Sequence, residues 1–334
     1  MSLEDLAERA FVPVQEAIAA GRIPGAVLAL AQREARAFRH AGLAQREPDP
    51  VAMTAGTWFD LASLTKVVFT TTAILRLVEA GRIGLDDPIA EAIPDLRQYD
   101  VAGAPERRLT YRQLLSHQTH LPAVEPLYTL GLDPQTLRAH VLQRAWPAGP
   151  PVYSDINFIL LGIALERLTG VALADQPVPA GFSFRPDPAL CAAMERCTWR
   201  GRVMRGEVHD ENAFAFGGAA GHAGLFGTAA ALAGFAADLA GGRILGPTML
   251  AALRTAASAT RTLGWERPHP GWPGGDAAAA GVIGHTGFTG MGLWVDLDGG
   301  PSWSLLTNRV HPSRHTDSGI VALRRAVGAV VAAR

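Results

Sequence analysis

From Val67 to Val78 the chain reads Val-Val-Phe-Thr-Thr-Thr-Ala-Ile-Leu-Arg-Leu-Val, an almost uniformly apolar run. A helix apolar on most faces must be buried on most faces, so the rest of the chain has to wrap around it. With 334 residues, 48% of them hydrophobic, there is enough chain for that core, in one domain with an insertion or in two. Directly before the run stands Lys66, the sole lysine among 30 Lys and Arg residues. An arginine cannot shed its proton in a protein, whereas a buried lysine can. Lys66 therefore reads as a base that burial makes neutral. Ser63, three residues earlier on the same helical face, reads as the nucleophile it serves, with Cβ atoms about 5–6 Å apart. The N-terminal end of the helix dipole favours an alkoxide and disfavours the ammonium form of Lys66. The plain alternative is a solvated surface lysine, and the apolar surroundings argue against it.

Apolar periodicity predicts a helix over 3–20, strands over 25–31 and 35–41, and a helix from Ser63 to the stop at Gly81. From there to about residue 200 the pattern is helices between Pro-rich joints, with little strand signal. These helices cover 109–117, 133–142 (Asp133 as N-cap, Pro134 first in the helix) and 157–168, closed by Gly170. A loop is expected over 176–188. The Gly-rich turn at 217–227 leads into a helix, and Gly246-Pro247 opens another. Runs 291–297 and 302–308, joined by Asp298-Gly299-Gly300, carry a strong hairpin signal. A helix over 317–332 closes the chain. Strands at both ends around a helical middle predict an α/β (α+β) domain built from 1–84 and 201–334, with a mainly helical domain, 85–200, inserted.

The bulk numbers exclude several functions. A formal charge of −1 offers no electrostatic case for nucleic acid or an anionic membrane. No apolar run reaches the ~18 residues that span a bilayer. The acidic, helical N-terminal segment lacks the basic start and apolar centre of a secretory signal, so the expected location is the cytoplasm. The two cysteines, Cys191 and Cys197, read as unpaired core thiols. The ten histidines show no metal-binding spacing, so neither a metal nor another cofactor is expected.

Two further segments carry chemistry. Tyr153-Ser154-Asp155-Ile156-Asn157 stands before a helix; a phenol near a lysine can relay a proton, while Asp155 also fits a plain N-cap. Ile283-Gly284-His285-Thr286-Gly287-Phe288 places glycines where a ligand can approach a strand closely. Arg309 and His311, leaving the last strand, are candidates to pair with a substrate carboxylate, weighed against a solvated loop. His222 in its glycine loop is weighed the same way.

Taken in order, Ser63-Leu64-Thr65-Lys66, Tyr153-Ser154-Asp155 and His285-Thr286-Gly287 resemble the Ser-x-x-Lys, Tyr-x-Asn and Lys/His-Thr-Gly motifs of serine β-lactamases and penicillin-binding proteins. The likeness is closest to the class C branch with its D-alanyl-D-alanine carboxypeptidase and esterase relatives, and it covers nearly the whole chain. The resemblance implies an antiparallel sheet flanked by helices, and acyl transfer to Ser63. Lys66 and Tyr153 would remove the serine proton, and the backbone N–H groups of Ser63 and Phe288 would form the oxyanion hole. His285, Thr286 and Gly287 would hold the polar end of a small acyl substrate: a β-lactam, peptide, muropeptide or ester. Asp155 departs from the family's asparagine; a carboxylate only accepts hydrogen bonds, which weakens a penicillin-like amide contact. His285 replaces the commoner lysine and gives a carboxylate less attraction. The implied function is a serine hydrolase acting on an amide or ester. An esterase, a muropeptide amidase, or a module that binds penicillin without turnover are the alternatives.

Overall fold

The computed structural model describes residues 1–276 and 278–333. Helix α1 (Leu3–Ala19) leads into strands β1 (Gly25–Gln32), β2 (Ala35–Gln45), β3 (Val51–Ala52) and β4 (Trp58–Asp60). A π-helical turn, Lys66–Thr71, runs into α2 (Thr72–Glu79), followed by α3 (Tyr111–Leu115), α4 (Pro134–Gln143) and α5 (Asp155–Thr169). Short strands β5 (Phe182–Ser183), β6 (Ala193–Cys197) and β7 (Arg202–Arg205) precede α6 (Glu211–Ala215), β8 (Phe226–Thr228), α7 (Ala229–Ala240) and α8 (Pro247–Arg254). Strands β9 (Val282–Thr286), β10 (Gly292–Asp296), β11 (Ser302–Thr307) and helix α9 (Ile320–Ala332) complete the order.

The two ends of the chain build one six-stranded antiparallel sheet, β3-β2-β1-β11-β10-β9. Alternation along β1 explains its central place. Ala26, Leu28 and Leu30 face a core shared with α1 and α9, while Val27, Ala29 and Ala31 face the main core, which includes α5 and α7. A strand buried on both faces needs no polar side, and β1 has none before Gln32. Among the described residues no helix is long and apolar enough to cross a membrane. Cys191 and Cys197 are both buried and unbonded.

The expected elements differ from the structure in three instructive places. The helix expected over 109–117 shortens to α3, because Thr110 caps it and His117 leaves it with φ +57°. Strand β5 lies in the expected loop and β6 in the stretch expected to be helical; one has two residues and the other has an irregular register, so neither shows alternation. The helix after Ser63 is not a uniform α-helix: Thr72 Oγ1 donates to the Val67 carbonyl at 3.0 Å beside the π-helical turn. Elsewhere the local signals hold. Asp133 caps α4 by accepting from the N–H groups of Gln135 and Thr136, and Gly170 ends α5 with φ +71°.

Candidate active site

Ser63 follows a bend. Ala62 has φ +47°, a left-handed conformation costly for a residue with a Cβ, and its N–H donates to the buried Asp60 carboxylate at 2.8 Å. The next backbone bonds are of i→i+3 type: Thr65 N–H to the Ala62 carbonyl at 3.0 Å and Lys66 N–H to the Ser63 carbonyl at 3.1 Å. In such a tight turn side chains three apart nearly eclipse. Lys66 Nζ accordingly lies 2.9 Å from Ser63 Oγ.

Lys66 is fully buried. Its ammonium donates to Ser63 Oγ and to the His222 carbonyl at 3.1 Å, and forms an ion pair with Asp155 Oδ1 at 2.8 Å. The sequence reading of a lysine neutralised by burial is corrected here. Burial does push its pKa down, but the Asp155 carboxylate, with help from the Tyr153 oxygen, outweighs it and holds the pKa above the usual lysine range. Lys66 rests as an ammonium ion. Asp155, expected either as a cap or against substrate, is its counter-ion; the cap of α5 is Ser154, whose Oγ accepts from Asn157 N–H at 3.4 Å.

Tyr153 lies directly before that cap. Lys66 Nζ sits 5.1 Å from the centre of its ring. Burial raises the phenol's pKa, while Lys66 and, more weakly, Ser63 act to lower it. The ring is flanked by His117, tilted against it at 4.6 Å, and covered by the Arg261 guanidinium at 4.9 Å. His117 Nδ1 accepts from Ser154 N–H at 3.0 Å, which leaves the proton on Nε2. Asn157 does not stand in for the family's asparagine: it is buried against Thr119 and His117, accepting at 2.8 Å from the Thr119 hydroxyl.

Strand β9 brings in His285. Its Nδ1 lies 2.9 Å from the Thr286 carbonyl and so carries the proton, leaving buried Nε2 as an acceptor without a partner among the described residues. Burial, with Arg261 and Lys66 nearby, keeps His285 neutral, its pKa well below the usual range. Past Thr286 the strand turns at Gly287, where a Cβ would meet the Leu61 carbonyl oxygen at 2.7 Å. This close approach, with Thr289 Oγ1 donating to the Asp60 carbonyl at 3.0 Å, carries Phe288 to the Ser63 turn. The Phe288 ring is exposed, with Arg309 4.7 Å away and His209 5.5 Å away. Arg309 Nε donates to the Phe288 carbonyl at 2.8 Å. His311 is not with this group. Its Nδ1 pairs with the Met194 carbonyl at 2.7 Å and its Nε2 accepts from Arg46 N–H at 2.9 Å, so neither ring nitrogen is left for a ligand.

Two residues here were not singled out as site candidates in the sequence, Asp210 and Arg261; His222 was weighed there against a solvated loop. His222 is buried, with Nε2 2.9 Å from Asp210 Oδ1. Burial would raise the Asp210 carboxyl, but His222 and Lys66 hold it well below the usual range. The one local signal was steric: a Cβ on Gly221 would collide with the Phe158 carbonyl, so only glycine lets this loop reach α5 and offer the His222 carbonyl to Lys66. Asp210 and Arg261 arrive from distant segments and left no local trace. Asp155, Asp210 and His222 bring ligand atoms within 4.8 Å of one another, a spacing that can hold a cation. The Lys66 ammonium, 2.8 Å from Asp155, is the cation beside them.

An antiparallel sheet with a serine on a buried lysine at its edge is the arrangement of a serine acyl hydrolase. A sequence profile of the beta-lactamase family matches residues 13–326. An N-acetylmuramyl-L-alanine amidase of Bacillus subtilis (strain 168) is 30% identical, over 89% of this chain and 80% of its own length. In fold, the chain is similar to a class C beta lactamase from Rhodobacter sphaeroides (TM-score 0.72, 22% identity, 97% and 98% of the two chains covered). It is likewise similar to a penicillin-binding protein homologue from Caulobacter crescentus (TM-score 0.73, 21% identity, 98% of each chain covered). The chain belongs to the beta-lactamase family and is a serine hydrolase.

Proposed function

We propose that the enzyme is an amidase that cleaves the bond between an acyl group and an amino acid in muropeptide-like substrates, through an acyl-enzyme on Ser63. The observation that carries the chemistry is the 2.9 Å contact between Ser63 Oγ and a fully buried lysine that is itself 2.8 Å from a carboxylate. A resting ammonium cannot take a proton, so the base has to be generated. Transfer of one Lys66 proton to Asp155 leaves a neutral amine facing Ser63. That amine takes the serine proton as Oγ bonds to the carbonyl carbon. The new oxyanion lies against the backbone N–H groups of Ser63 and Phe288. Tyr153 gives its proton to the leaving nitrogen as the C–N bond breaks, and is reprotonated from the Lys66–Asp155 pair. Water then releases the acyl group by the reverse sequence.

The substrate class rests on the amidase relative and on two polarities. Asp155 and Asp210 offset the Lys66 charge beside Ser63, and neutral His285 offers a lone pair at Nε2. Both are poor partners for the carboxylate of a β-lactam, and His285 suits a neutral N–H donor. Arg309 favours a second reading, a D-alanyl-D-alanine carboxypeptidase. No carboxylate among the described residues pairs with its guanidinium, which lies over Phe288 and can take a C-terminal carboxylate.

Hydrolysis of a muramyl-L-alanine peptide, a D-alanyl-D-alanine peptide, a p-nitrophenyl ester and a fluorescent penicillin, each with Ser63→Ala as control, tests the reading. The muramyl amide should be cleaved fastest and the Ser63→Ala enzyme should cleave none. Faster release of terminal D-alanine moves the assignment to the carboxypeptidase. Fast ester cleavage without amide cleavage moves it to an esterase, and a persistent penicillin label with no turnover of any substrate contradicts both amide readings.

A further inference from the structure

Away from Ser63 a second cavity of about 600 Å³ opens between α2, the 177–182 loop and α7. Its volume is within the range of small-molecule pockets. Val68, Phe69, Val178, Phe182, Phe235 and Ile244 give it an apolar lining, and none of Ser63, Lys66, Tyr153, Asp155 or His285 reaches it. Val68 and Phe69 belong to the same π-helical turn as Lys66, so the cavity and the catalytic cleft are back to back on one element. Three charged side chains stand at the cavity: Arg76, Asp238 and Arg243. Arg243 and Asp238 satisfy each other at 2.6 Å. Arg76 donates from Nε to the Ile244 carbonyl at 3.3 Å, and no carboxylate among the described residues pairs with it. An apolar chamber with one uncompensated guanidinium at its rim matches a ligand with an alkyl chain and a single anionic head.

We propose that this cavity binds a free fatty-acid anion, with the alkyl chain among Phe69, Phe182 and Phe235 and the carboxylate on Arg76. The proposal is independent of which amide or ester Ser63 cleaves.

Calorimetric titration with decanoate and with decyltrimethylammonium, equal in chain and opposite in head charge, tests it. The wild type should bind decanoate at least tenfold more tightly than the cation. Arg76→Glu should reverse that order. Gly234 lines the cavity, and a Cβ added to it meets nothing within 4 Å, so the side chain of Gly234→Leu can start there and obstruct the chamber. This variant should lose binding of both amphiphiles while keeping its melting temperature and hydrolase rate. Decanoate binding that survives in Gly234→Leu places the ligand elsewhere, the catalytic cleft included, and overturns the proposal. So does equal affinity for the two amphiphiles in both the wild type and Arg76→Glu.

Discussion

At Lys66 two opposing effects are large and the structure decides between them. Taking an ammonium out of water costs several kcal/mol, which favours the neutral amine; a carboxylate at 2.8 Å reverses that preference. In the proposed path Asp155 takes the Lys66 proton directly, so generating the base exchanges no proton with bulk solvent. Asp155→Asn removes the acceptor and the largest effect opposing burial, so the Lys66 pKa falls. Activity of this variant should be down about 100-fold at pH 6 and should recover as the pH rises through the lowered lysine pKa, whereas the wild type stays flat over that range. Equal kcat/KM for the two enzymes at pH 6 would remove Asp155 from the proton path. Lys66→Arg keeps the charge and the ion pair but cannot release a proton. It should lose about 100-fold or more in acylation rate, measured by single-turnover kinetics, with little change in substrate affinity; near-normal acylation contradicts the base assignment.

Among elements, the segment entering α5 does the most positioning. Ser154 is buried; its hydroxyl donates to the Pro122 carbonyl at 2.6 Å and also accepts from the first turn of the helix. Tyr153 on one side and Asp155 on the other are therefore aimed by a single cap. Ser154→Ala should cost about 1–2 kcal/mol in chemical denaturation. It should also slow turnover of the amide substrate several-fold; a variant as stable and active as the wild type contradicts this role. What the sequence disclosed about these elements follows from the range of each interaction. The i,i+3 relation of Ser63 and Lys66, the cap at Asp133 and the stop at Gly170 are local, and each could be read from a few residues. The π-helical turn could not, since its widened spacing answers to Thr70 Oγ1 reaching the Gly221 carbonyl at 2.7 Å, over 150 positions away. Asp155 looked like a cap because nothing beside it in sequence reveals that Lys66 faces it. His311 looked like a ligand for the same reason, its real partners Arg46 and Met194 lying far away in the chain.

Across the whole molecule, the charges that matter are few and join remote parts. Arg314, beyond β11, holds Glu195 of β6 at 2.7 Å, and also pairs with Glu211 of α6. Against burial, which would raise it, His209 and Arg314 hold the Glu195 carboxyl at about 2, below its ordinary 4.5. A folded-state pKa below the unfolded one adds stability that is complete above about pH 4.5 and is lost as the pH falls toward 2; here that is worth up to about 3 kcal/mol. Glu195→Gln should therefore melt lower than the wild type at pH 7, and the gap should close as the pH is lowered through this window. A gap that persists unchanged at pH 2 rules out the carboxylate as its source. The Arg314 guanidinium also lies 5.7 Å from the centre of the Phe288 ring, so this variant should loosen the Phe288 side chain as well.

Because the chain has a single lysine, selective ¹⁵N-lysine labelling gives one side-chain Nζ signal. That signal reports the charge of the Lys66 amine without mutation. In the wild type it should remain that of an ammonium ion up to about pH 10, and in Asp155→Asn it should titrate at a lower pH. A wild-type amine already neutral at pH 7 would contradict the ion pair on which this account of the site is built.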